Sequence, residues 1–207
     1  MKKVNYFKKY SLYGFLMAGV LFTGCDKDDD EVVPEEENEE EVITDVKLIF
    51  TNTSDNTDIV TARAKDPDGE GVKELEVLDD INLDTSETYI LTFEIMNNLE
   101  TPGEDIGAEI AEEDDEHQIF FSFSDNAFAN PIGNGNIDQA SDPVSYNDVD
   151  ENNNPVGLST TWTTSSSTLS DGMFTVRLQH QPDVKTATSG ANDGDTDFEL
   201  EFTLNIQ

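Results

Sequence analysis

From about residue 42 onward, apolar and polar side chains alternate with a period of two. Phe198, Leu200, Phe202, Leu204 and Ile206 share one phase, and Glu199, Glu201, Thr203 and Asn205 take the other. Successive side chains of a strand point to opposite faces, so this is a half-buried strand with a wet outer face. Val46, Leu48 and Phe50 alternate in the same way, as do Tyr89, Leu91, Phe93 and Ile95. Further strands are expected over 58–64, 119–124, 143–149, 156–164 and 173–180. Turn formers separate them: Asp66-Pro67-Asp68-Gly69, Gly133-Asn134-Gly135-Asn136, Asn152-Asn153-Asn154-Pro155 and Asp171-Gly172. About eight short strands punctuated in this way predict an all-β fold, an antiparallel β-sandwich of immunoglobulin-like type. A closed barrel is the nearest rival. One helix interrupts the pattern near 102–115. Thr101 stands at N-cap spacing from Glu104 with Pro102 between them, and Ile106 and Ile110 share a face.

The first 24 residues read differently. Lys2, Lys3, Lys8 and Lys9 precede an apolar run from Leu12 to Phe22, and Thr23-Gly24-Cys25 follows. A basic start, a short apolar stretch and a small residue before the cut describe a secretory signal peptide. At ~1.5 Å rise per residue, this run reaches about half of a ~30 Å hydrocarbon core, too short for a permanent span. Leu21-Phe22-Thr23-Gly24-Cys25 resembles a bacterial lipobox, with Phe22 where leucine is usual. That resemblance implies cleavage before Cys25 and lipidation of its thiol and new amino group. The segment from Asp26 to Glu41 holds 11 acidic residues and one lysine. Like charges at this density repel, so residues 25–41 are expected to form an extended, disordered tether. Residues 42–207 are then the sandwich domain. Cys25-Asp26-Lys27-Asp28-Asp29 also resembles the export signal of Bacteroidota surface lipoproteins, which implies an outer-membrane protein facing the cell exterior.

Charge narrows the partners. The chain has 46 Asp plus Glu against 11 Lys plus Arg, a net charge of −35. Such a surface repels phosphates, so nucleic acid is excluded, and cations or basic proteins are favoured. Cys25 is the only cysteine, which excludes an internal disulfide and any CxxC site. There is no Gly-x-Ser-x-Gly elbow, Gly-rich phosphate loop or His-Glu-x-x-His, and no enzyme is expected. The lone tryptophan, Trp162, is expected in the core.

Two constellations suit cations. His117 follows the acidic run 112–116 in phase with Ile119, Phe121 and Phe123. His180 ends a strand in phase with Phe174, Val176 and Leu178. Both imidazoles therefore sit at strand ends on the core-facing side. If these strands pair antiparallel, the rings approach, and with Glu113 and Glu116 they would suit Zn²⁺. Without that pairing they are strand caps bonded to nearby carboxylates. Calcium loops need oxygen side chains at alternate residues around a tight turn. Asp66, Asp68 and Glu70 have that spacing, as do Asp148, Asp150 and Asn152. Both runs lack the distal bidentate glutamate, and Asx-rich hairpin turns explain them as well.

Longer segments resemble small Bacteroidota surface lipoproteins: Asn97-Asn98-Leu99-Glu100-Thr101-Pro102-Gly103-Glu104-Asp105-Ile106, Asp115-Glu116-His117-Gln118-Ile119-Phe120-Phe121, Asn154-Pro155-Val156-Gly157-Leu158 and Leu178-Gln179-His180-Gln181-Pro182. Labels used for such proteins include type 1 periplasmic binding fold and GTP cyclohydrolase. The first requires alternating helices and parallel strands, where this chain shows one helix. The second requires cysteine and histidine ligands to zinc. The resemblance implies an accessory protein that works beside a TonB-dependent receptor. The expected function is capture of a divalent metal for that uptake system; the alternative is an adhesive module that binds a basic protein patch without a small ligand.

Overall fold

A computed structural model of the chain describes residues 41–66, 74–99 and 101–207. Among these residues the alternating segments form β1 (Asp45–Asn52), β2 (Ile59–Lys65), β3 (Glu76–Val77), β4 (Ile81–Leu83) and β5 (Thr88–Met96). After α1 (Ile106–Glu112) come β6 (His117–Phe123), β7 (Phe128–Asn130), β8 (Ser159–Thr164), β9 (Leu169–His180) and β10 (Asp195–Ile206). They build a six-stranded sheet in the order β3-β2-β1-β5-β8-β7 and a four-stranded sheet in the order β4-β10-β9-β6. The protein is an all-β sandwich. All the pairings are antiparallel except that of β4 with β10.

The inward phases meet as their periodicity predicts. Val46, Leu48 and Phe50 of one sheet are buried, as are Phe198, Leu200, Phe202, Leu204 and Ile206 of the other. Trp162, fully buried, stands edge-on to Phe121, Phe123 and Phe174 at centroid distances of 5.2, 5.4 and 5.0 Å. Edge-to-face packing sets the positive ring edge on a negative face and adds to the gain from area burial. Phe50 of β1 meets Phe174 of β9 edge-on at 5.8 Å, so the cluster joins the two sheets.

Three local expectations are corrected. The helix is shorter than 102–115: Asp105 caps it by accepting from Ala108 N–H at 3.1 Å. Asn97 and Glu104 exchange backbone hydrogen bonds of 3.1 and 2.8 Å, so the Glu104 N–H that a Thr101 cap would use is already taken. Residues 143–149 make isolated bridges, Tyr146 with Thr160 and Val149 with Pro155, and form no strand. Asp171-Gly172 lies inside β9, where Asp171 takes a φ of 53° and the register with β10 slips. It is a bulge where a turn is expected.

β6 is an edge strand of its sheet, and its free side is covered. Val156 O accepts from Ile119 N–H at 2.7 Å, and Asn134 O accepts from Phe123 N–H at 2.9 Å. Gly135, at φ 93°, permits this approach, since a Cβ there would stand 2.1 Å from Phe121 O. No helix among the described residues is long and apolar enough to cross a membrane. The aromatic cluster makes a clear prediction. Trp162→Ala should lower stability by ~3–5 kcal/mol in denaturant titration, whereas Thr61→Ala on the exposed face should stay within ~0.5 kcal/mol.

Candidate metal centre at the sandwich end

β6 begins at His117 and β9 ends at His180, and their antiparallel register makes these two residues direct cross-strand partners. Both side chains share the inward phase, and they close one end of the core with exposures of 0% and 4%. The imidazoles stack with centroids 4.4 Å apart and planes inclined by 6°. Ring lone pairs lie in the ring plane, so in parallel stacked rings they do not converge. A zinc ion needs each nitrogen at ~2.0–2.1 Å along that direction, and the two rings as oriented cannot share one ion.

The carboxylates divide between the rings accordingly. Glu116 Oε2 lies 3.5 Å from His180 Nε2. His117 groups with Glu113 and Glu41, one ligand atom from each lying within 4.8 Å of the others. Thus the expected set of His117, His180, Glu113 and Glu116 lies at one end of the sandwich, but as two half-sites. His117 Nδ1 is 3.2 Å from Glu113 O. A carbonyl only accepts, so the neutral ring donates from Nδ1 and keeps a lone pair on Nε2. That atom is buried without a hydrogen-bond partner among the described residues. Burial, with a smaller contribution from His180 and Lys185, pushes the His117 pKa down to about 4. Burial and then repulsion from Glu109, Glu113 and Glu104 push Glu41 up to about 7.

Lys185 sits beneath this end, with 1% of its side chain exposed. Its ammonium donates to His117 O at 2.8 Å and to Asp114 O, and lies 3.4 Å from the fully buried Asp150 carboxylate. Burial lowers the Lys185 pKa, and Asp150 opposes that shift. The ammonium therefore ties the α1–β6 turn to the 148–154 loop and to the β9–β10 connection. Gly194, at φ 82°, lets that connection close on β9, since a Cβ would stand 2.0 Å from His180 O.

The second oxygen-rich run is occupied by the protein itself. Asp148 accepts from Gly157 and Ser159 N–H, both at 3.0 Å. Asp150 accepts from Asn152 and Asn154 N–H at 2.8 Å, and Asn154 Nδ2 donates to it at 3.1 Å. These are the bonds of an Asx-rich turn. Asp66 ends the segment after β2, and Asp68, Glu70 and Cys25, where lipidation is expected, lie outside the described residues. Glu41 and Lys185 escape a reading of the sequence. Glu41 ends an acidic run that looks uniform, and Lys185 lies in a loop with no periodic signal.

Two outcomes are expected. Lys185→Met should cost ~3–5 kcal/mol in denaturant titration, because it leaves a buried carboxylate unpaired. Asp150→Asn in that background should recover part of the loss. The unfolded chain takes up a proton at His117 near its ordinary pKa of 6.5, which the folded ring resists until about 4. Stability therefore falls as pH drops through that window. Melting curves against pH should show this decline weakened in His117→Asn. No known protein family, curated protein or solved structure matches this chain.

Proposed function

We propose that the protein is a non-enzymatic β-sandwich that binds a divalent metal at the sandwich end, anchored to the outer face of the outer membrane through lipid on Cys25. In this reading it serves as an accessory to an uptake system of the TonB-dependent type. The observation that carries the metal reading is the meeting of His117, Glu113 and Glu41, three residues from β6, the α1–β6 turn and the segment before β1. A neutral imidazole with two carboxylates suits Zn²⁺, which takes nitrogen and oxygen ligands. Ca²⁺ prefers oxygen alone. Three protein ligands leave a coordination position open, and exchangeable binding is what handover to a transporter requires. The carboxylates supply a further reason. Glu41, Glu104, Glu109 and Glu113 repel one another here, and a cation offsets that repulsion.

Calorimetric titration of Zn²⁺ into the full chain should find one site beyond the diffuse binding of the acidic run. His117→Ala should weaken that site by more than about tenfold. His180→Ala should weaken it less, since the stacked ring does not face the same ion. Equal zinc binding by wild type and His117→Ala would refute the assignment.

A further inference from the structure

We propose that a zinc ion bound by His117, Glu113 and Glu41 clamps the acidic N-terminal run to the sandwich, so that metal occupancy fixes the point where the chain enters the domain; this rests on the metal reading above. Glu41 is the last residue of the run Glu35-Glu36-Glu37-Asn38-Glu39-Glu40-Glu41, and β1 begins soon after it at Asp45. Among the described residues, firm attachments lie just beyond Glu41. Ile43 is buried, and Thr44 N–H donates to Met96 O at 3.0 Å. Glu41 itself meets Glu113 of the α1–β6 turn and His117 of β6, residues remote in the chain.

The Glu41 carboxylate faces like charge from Glu109, Glu113 and Glu104. The histidine is the independent pointer to a ligand. It is fully buried, its Nε2 has no hydrogen-bond partner among the described residues, and a ring nitrogen belongs to the same 4.8 Å group. An ion held by a ring nitrogen of His117 and both carboxylates turns mutual repulsion into a cross-link between the start of the domain and its far strand.

The test is hydrogen exchange of the full chain with and without ZnCl₂, read at amides 42–44 by mass spectrometry, beside calorimetry on wild type and Glu41→Gln. Zinc should slow exchange there by more than about tenfold in wild type. Glu41→Gln should still take zinc through Glu113 and His117, about tenfold more weakly, and show no slowing. If zinc binds wild type with the His117 dependence above but leaves these amides unchanged, or slows them equally in Glu41→Gln, the clamp is refuted and the metal site stands. If wild type and His117→Ala bind zinc alike, the metal site and the clamp fall together.

Discussion

The register between β6 and β9 is the constraint on which the rest of this structure depends. A slip of one residue would turn every side chain of β6 to the other face. Ile119, Phe121 and Phe123 would leave the core, Phe121 and Phe123 would lose Trp162, and His117 would point outward. The aromatic cluster opposes that slip, because its rings interlock across both sheets. The same register brings His117 opposite His180. The packing that stabilises the middle of the strands therefore also sets the chemistry at their ends.

A chain with a net charge of −35 must place its carboxylates with care. Where they approach the interior, they are matched by donors. Asp148 and Asp150 accept from backbone N–H groups of their own turn, and Asp150 also meets the Lys185 ammonium. Burial of an ion pair is tolerable only with such additional hydrogen bonds. The group around Glu41 is the exception. There burial, and then repulsion from neighbouring glutamates, raises the pKa of Glu41 and of Glu109. This group, beside a neutral buried imidazole, is what the proposed metal reading rests on.

The two oxygen-rich runs show how spacing alone can mislead. Alternate oxygen side chains around a turn suit calcium, and the same residues serve equally well to satisfy a turn's own backbone. For Asp148, Asp150 and Asn152 the backbone takes the oxygens. The helix boundary misleads for a similar reason. Thr101 and Glu104 have capping spacing, yet pairing of Glu104 with Asn97 claims the backbone that a cap would use, and Asp105 caps instead.

The sequence by itself determined the all-β class, the inward phase of each long strand, the burial of Trp162 and the position of both histidines at strand ends on the core side. These follow from periodicity, a property of each strand alone. Only the tertiary structure decided that β6 lies beside β9, that the rings stack without converging, and that Glu41 joins His117 and Glu113. It also decided that Lys185 is buried under the site. These contacts join residues from distant parts of the chain, and their geometry depends on how every intervening strand and loop is closed. No local pattern encodes that.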